Sequence, residues 1–92
     1  MSLFKISEKI VLNKLKKIEF GSLKLINYDG QVFHFGNLEN ELTADIKINN
    51  EKFYFNIIIG GSSALGEAHM SKDFYSSNLT NLIEITARNI RL

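Results

Sequence analysis

The feature that most constrains this fold is a change in the spacing of apolar residues near Phe20. Between about residues 3 and 18, apolar side chains recur at helical spacing, and beyond that point they alternate with polar ones, which is the period of a strand. The broad apolar face of the predicted helix carries Leu3, Phe4, Ile10, Val11, Leu15 and Ile18, and the opposite face carries Lys5, Lys9, Asn13 and Lys16. We therefore predict an N-terminal helix, capped by Ser2 or Ser7, that leads into a sheet.

Four segments follow that predict strands. The first contains Leu23 and Leu25, and a two-residue hairpin turn at Asp29-Gly30 joins it to the second, Val32 to Phe35. Residues 42–48 alternate and predict the third strand. Residues 53–59 continue as the predicted fourth strand, with Phe53, Phe55, Ile57 and Ile59 on one face. Because the connections are short, we expect an antiparallel meander.

The last third of the chain predicts two helices. The first runs from about residue 63 to 70, and a loop follows over residues 71–77. The second begins near Asn78, with Ser77 as its cap. It has an i,i+4 pair of Glu84 and Arg88, and its one apolar face carries Leu79, Leu82, Ile83, Thr86 and Ile90. The expected fold is thus a single α+β domain over residues 1–92: an N-terminal helix, a four-stranded antiparallel meander and two C-terminal helices packed on one face.

Composition and charge limit the function. The chain has no cysteine, so disulfides and thiolate metal sites are excluded, and its apolar runs are too short to span a membrane. Residues 1–18 hold five lysines and one glutamate, whereas the rest has a net charge of −3. A basic segment on an acidic body favours an anionic partner. We expect a cytoplasmic protein, with peripheral contact to the inner face of the membrane as an open alternative.

No residue pattern predicts catalysis. The glycine spacing from Gly61 to Gly66 resembles a phosphate loop, but Glu67 stands where a lysine would reach phosphate. Glu67 and His69 would point in different directions on a helix, and the two histidines, His34 and His69, lack metal-ligand spacing. The phenylalanines lie at core positions rather than on a basic surface. We predict no catalytic residue, no metal, no cofactor and no nucleic-acid partner for this chain.

The most distinctive segment lies between residues 60 and 89. It reads Gly66-Glu-Ala-His-Met70, then Asp73-Phe74, Asn78-Leu-Thr80 and Arg88-Asn89. This order resembles the pattern Gly-Glu-x-Tyr-Met-x-Gly-x-Trp-x-x-x-Asp-Leu-Thr, followed by an Arg-Asn helix end, in the N-terminal region of cyclopropane-fatty-acyl-phospholipid synthases. The resemblance extends from about Ile6 to Asn89. The departures are His69 for Tyr, Lys72 for Gly, Phe74 for Trp and Asn78 for Asp. A left-handed turn at Lys72 would cost about 1 kcal/mol.

The resemblance implies a non-catalytic accessory domain of a larger lipid-modifying enzyme. Members of that family transfer a methylene unit from S-adenosylmethionine to a lipid acyl chain in a separate C-terminal methyltransferase domain, which would be the partner of this chain. The accessory domain is expected to engage lipid or to dock on the catalytic domain, with a sterol-carrier-like two-layer fold. On this basis the chain is either a fragment or a stand-alone relative, and the helix at its end favours a fragment.

The candidate site residues form two groups. Those expected to contact anionic phospholipid are Lys5, Lys9 and Lys16. Those of the family-like motif, expected to serve packing or docking, are Gly66, Glu67, His69, Met70, Phe74, Leu79, Arg88 and Asn89. Two other functions stay open. One is a homodimerisation module that uses the terminal helices, and the other is a small carrier of a hydrophobic ligand, which requires a cavity of several hundred Å3.

Overall fold

A computed structural model describes residues 2–36 and 42–89, with the side chains of residues 62 and 63 outside the description. The elements follow the order α1 (Leu3–Leu15), β1 (Ser22–Ile26), β2 (Val32–Gly36), β3 (Thr43–Ile48), α2 (Lys52–Met70), β4 (Phe74–Tyr75) and α3 (Leu79–Asn89). The α+β class is confirmed, with a helix before the sheet and helices after it.

The N-terminal helix α1 begins at the predicted cap. The Ser2 hydroxyl accepts a hydrogen bond from the backbone N–H of Phe4 at 3.1 Å. The other candidate cap, Ser7, is buried, and its hydroxyl donates to the Leu3 carbonyl at 2.9 Å. The helix ends at Leu15, three residues before the predicted end, and Ile18 enters the core from the connection to β1.

The sheet is mixed, so the predicted antiparallel meander is wrong in its strand order. The order is β2-β1-β3-β4: β1 pairs antiparallel with β2 and parallel with β3, and β3 pairs antiparallel with the short β4. The burial of the strands gives the physical reason. Leu23 and Leu25 of β1 are almost fully buried, whereas β2 is mostly exposed or half-buried. A strand order with β1 in the interior of the sheet therefore buries the apolar side chains of β1 better than the β1-β2-β3-β4 order of a meander would.

The predicted β1–β2 hairpin is present, but its loop is longer than two residues. The Asn27 carbonyl accepts from the Gly30 N–H at 2.9 Å, and the Asn27 N–H donates to the Gln31 carbonyl at 2.8 Å. Only Gly30 among loop residues 27–31 has a positive φ, +89°. A turn followed by one left-handed glycine is the three-residue hairpin with a bulge, whereas a two-residue type I′ turn at Asp29-Gly30 would need positive φ at both positions.

The largest correction concerns residues 52–70. The predicted fourth strand (53–59) and the predicted helix (63–70) belong to one helix, α2, which is kinked at Gly61. The kink has φ +64° and ψ −147°, a region that only glycine adopts readily. The N-cap residue of α2 is Glu51, and the side-chain oxygen of the preceding Asn50 accepts from the Lys52 N–H at 2.9 Å, which gives that first helical N–H a partner.

The segment between α2 and α3 was predicted as a loop and contains strand β4. In register, Phe74 lies beside Ile48 and Tyr75 beside Lys47. Helix α2 ends in a Schellman motif, in which the Asp73 N–H donates to the Ala68 carbonyl at 2.9 Å. Lys72 occupies the left-handed position with φ +61°, so the cost of about 1 kcal/mol for a non-glycine residue applies here.

Helix α3 begins near its predicted start but with a different cap. Asn78 accepts from the Asn81 N–H at 3.1 Å, while the Ser77 hydroxyl donates instead to the Asp45 carboxylate on β3. The predicted pair of Glu84 and Arg88 is present at 2.9 Å. Ile90, predicted for the apolar face, lies outside the described residues.

The helices and the sheet form two layers. Helix α1 packs on α2, and α3 packs on β3 and β1. The helix layer covers the sheet face that carries Leu23, Leu25 and Ile46, whereas Lys24 and Lys47 are exposed. The predicted placement of the helices on one face therefore agrees with the structure, and it leaves space between α3 and the α1–α2 pair.

Candidate functional site: an apolar cavity between sheet and helices

The space between the layers is a cavity of about 630 Å3. Its floor is the apolar face of the sheet, formed by Leu23 and Leu25 of β1 and Ile46 of β3. All three side chains are buried in the core, so the floor is a fixed surface of the fold. The volume falls within the range of about 300–1,000 Å3 that is typical of small-molecule sites.

The walls come from all three helices. Helix α2 contributes residues on both sides of its kink: Ile57 and Ile58 before Gly61, and Leu65 and Gly66 after it. Because the kink redirects the second half of α2, both halves line the same cavity. Gly66 leaves extra room, since a Cβ atom at this position would meet no atom within 4 Å.

The mouth of the cavity is apolar as well. Three isoleucines, one from each helix, line the cavity and also reach solvent: Ile10 is 42% exposed, Ile58 40% and Ile83 48%. Large apolar side chains that line a cavity and face water are typical of a ligand-binding mouth. The opening of the cavity towards solvent is therefore apolar.

Four lining residues carry polar side-chain groups, and two of these groups already have partners. The Tyr54 hydroxyl donates to Asn27 Oδ1 at 2.6 Å, and burial raises the pKa of Tyr54 well above its usual range. The Thr86 hydroxyl bonds to the Leu82 and Ile83 carbonyls of its own helix, at 3.1 and 2.9 Å. Lys14 and His69 remain, and none of the described residues that line the cavity carries a carboxylate.

The geometry does not bring acid–base partners together. His69 lines the apolar cavity, whereas Glu67 lines a separate hollow of about 280 Å3 that also contains Asp73. The two side chains therefore face different spaces, as the i,i+2 spacing predicts. Within residues 2–36 and 42–89, no group of three or more His, Asp or Glu side chains could hold a metal ion.

The three predicted lipid-contact lysines lie outside the cavity lining. The Lys5 ammonium donates to the Tyr28 hydroxyl at 2.7 Å and lies 5.2 Å from the centre of its ring. This hydrogen bond raises the pKa of Lys5. Lys9 and Lys16 are exposed. Lys14, which the sequence did not single out from the other lysines, is the lysine that lines the cavity.

The family-like motif is divided between the cavity and its supports. Gly66, His69 and Leu79 line the cavity. Phe74 is buried behind it, with its ring 5.3 Å from that of Phe53 and 5.7 Å from that of His69. Met70 points away and is 83% exposed, which leaves it available for a docking surface.

The remaining two motif residues fasten α3 to the start of the sheet. The Arg88 guanidinium lies 4.5 Å from the centre of the Phe20 ring. Asn89 Oδ1 accepts from the Phe20 N–H at 2.9 Å, and Asn89 Nδ2 donates to the Phe20 carbonyl at 2.7 Å. Arg88 and Asn89 therefore hold the helix that forms one wall of the cavity.

The fold and the cavity define the class of protein: a small two-layer α+β domain with an apolar pocket under its helices. In the described part of the chain, no helix has the length and apolar character needed to cross a bilayer. Compared with known proteins, the chain matches no family model, no curated protein and no solved structure.

Proposed function

We propose that this chain is a non-catalytic accessory domain that engages lipid by accepting an acyl chain in the cavity between its sheet and helices. The observation that carries the proposal is the 630 Å3 cavity, whose floor and mouth are both apolar. Each methylene group moved from water into such a site contributes about 0.8 kcal/mol. Affinity should therefore rise about fourfold per added methylene until the cavity is full.

The resemblance to cyclopropane-fatty-acyl-phospholipid synthases supports the same assignment. In that setting the domain would present or hold lipid for a C-terminal methyltransferase domain that uses S-adenosylmethionine. The motif residues Gly66, His69 and Leu79 would then act at the cavity wall, and Met70 would be available to the catalytic domain. Lys5, Lys9 and Lys16 would contact anionic phospholipid on the inner membrane face.

Ligand binding can be tested directly with the purified chain. We expect native mass spectrometry to detect a bound single-chain lipid, and we expect saturated fatty acids of increasing length to displace an environment-sensitive fluorescent fatty acid with increasing affinity. No binding at any chain length would contradict the proposal.

A blocking variant locates the binding. In Gly66→Leu, a larger side chain occupies open space at the cavity wall, and we expect binding to fall at least tenfold because several methylene groups lose their place. Gly66→Ala is the matched control: it makes the same change in backbone freedom but adds only one methyl group, so binding should change little. Equal binding by both variants would place the ligand elsewhere.

A second candidate function, homodimerisation, is favoured by one observation. Leu3, Ile6 and Ile10 are all exposed and recur at helical spacing along α1, so they form an apolar stripe. A second copy could cover this stripe. Sedimentation equilibrium tests the idea, because a strict monomer at high protein concentration would exclude it.

A further inference from the structure

Lys14 differs from the other lysines of α1 in its surroundings. It lies in the last turn of the helix, is exposed, and lines the cavity next to the apolar residues Val11 and Leu15. It makes no ion pair and no side-chain hydrogen bond with any described residue. A free ammonium group at the edge of an apolar cavity can meet an anion there without first losing another partner.

Lys14 is the one lysine, arginine, aspartate or glutamate among the described residues that line the cavity. Within residues 2–36 and 42–89, no carboxylate lines it, and the hydroxyls of Tyr54 and Thr86 already bond to protein acceptors. The groups left to bind a polar ligand are thus a cation, Lys14, and an imidazole, His69.

These two groups lie towards opposite ends of α3. Lys14 comes just before the connection at Glu19 and Phe20, which bonds to Asn89 at the C-terminal end of α3. His69 contacts Phe74, shortly before the N-terminal end of α3 at Leu79. Leu79 and Ala87, the outermost α3 residues of the lining, are about 12 Å apart along the helix. An elongated ligand would therefore have its polar end at one of two separate places.

From this arrangement we infer that the cavity selects single-chain amphiphiles with an anionic head group, which lies against Lys14 while the acyl chain extends into the cavity. The inference rests on the proposed function and adds the charge and orientation of the ligand. A carboxylate and a phosphate supply the same anionic chemistry, so fatty acids and lysophospholipids are compared as separate ligands.

The test compares a fatty acid, a lysophosphatidic acid and the uncharged methyl ester of the same acyl chain, each measured by displacement of a neutral fluorescent apolar probe. Wild type should prefer both anions to the ester. Lys14→Met keeps the apolar stem but removes the charge, and it should weaken both anions about three- to fivefold while leaving the ester unchanged. Lys14→Glu should weaken the anions further. Lys17→Met, at an exposed lysine three residues further along the chain and outside the cavity lining, is the matched control and should have no effect.

The outcomes separate the two ideas. If neither the anions nor the ester bind wild type, the proposed function fails and the inference fails with it. If wild type binds anions and ester equally, or if Lys14→Met weakens all ligands alike, acyl binding stands and only the inference is overturned. A loss in His69→Leu with none in Lys14→Met would place the head group at the opposite end and would also overturn the inference. Preference for only one of the two anions would identify the head group.

Discussion

Removing the Asn89 side chain should destabilise the fold more than removing any other exposed or half-buried amide on α3. The Asn89 amide makes four hydrogen bonds: with the N–H groups of Glu19 and Phe20, and with the carbonyls of Phe20 and Ile85. Three of these bonds are partly buried, and the bond to Glu19 is exposed. At about 1 kcal/mol net for each partly buried bond, Asn89→Ala should lower the free energy of unfolding by about 2–3 kcal/mol.

That loss is large for a chain of this size. A domain of 92 residues is expected to have a total stability of about 5–14 kcal/mol, so the variant should lose between about a seventh and three fifths of it. The melting temperature should fall by about 10–20 °C. Urea unfolding followed by circular dichroism measures the change, and the slope against urea should stay the same because the surface exposed on unfolding does not change.

Asn81→Ala is the matched control on the same helix. The Asn81 side chain donates one exposed bond, to the Thr43 carbonyl at 3.0 Å, so its removal should cost about 0.5 kcal/mol. Both variants gain the same helix propensity from alanine, and the comparison removes that effect. Hydrogen exchange at the Phe20 amide should accelerate in Asn89→Ala alone. The reasoning is refuted if Asn89→Ala costs no more than Asn81→Ala.

Three further predictions concern the backbone and pH. Lys72→Gly should raise the free energy of unfolding by about 1 kcal/mol, because glycine adopts the left-handed position freely. Ser71→Gly, at a neighbouring right-handed position, should not stabilise the protein. Urea unfolding measures both variants, and equal effects of the two substitutions would contradict the prediction. Gly61→Ala should cost about 1–3 kcal/mol at the kink, and Gly66→Ala, inside the second half of the helix, should instead gain about 0.5–1 kcal/mol; thermal unfolding of both variants tests the sign. Burial raises the pKa of Tyr54 in the folded state, so the stability that its neutral side chain contributes is fully present below about pH 10, where the unfolded tyrosine ionises. Above about pH 10 the free energy of unfolding should fall by about 1.4 kcal/mol per pH unit. A Tyr54→Phe variant that loses stability with the same alkaline slope would refute this prediction.

The elements whose apolar period is unambiguous could be predicted from sequence. Helices α1 and α3 and strand β3 follow from their spacing, and Gly30 marks the hairpin. Residues 53–59 could not be assigned from period alone, because almost every side chain there is apolar and fits a strand as well as a helix.

Two signals favoured the helix at α2. Asn50, a residue type that favours helix N-termini, lies three positions before Phe53, and the buried positions Phe53, Ile57, Ala64 and Ala68 continue one stripe at helical spacing. The β-branched residues favour a strand by intrinsic preference, but packing of this stripe against the sheet outweighs that preference. The strand order depends on how deeply each strand is buried relative to the others. The spacing of residues within one segment carries no information about that.

The cavity could not be predicted, because a space is a property of how elements are arranged rather than of any one of them. Lys14 has the same sequence surroundings as its neighbouring lysines, and it differs only in facing the gap between α3 and the other helices. The motif residues at Gly66 and His69 were recognisable as a pattern, but their position at the cavity wall required the structure.

The bonds between Asn89 and Phe20 join residues 69 positions apart, and this separation affects the order of folding. The entropy cost of closing such a long loop must be met before these bonds can form, whereas the β1–β2 hairpin closes locally and early. The Asn89 contacts should therefore form after the transition state. Their loss should speed unfolding and leave the folding rate nearly unchanged, so the end of α3 sets how long the folded domain persists.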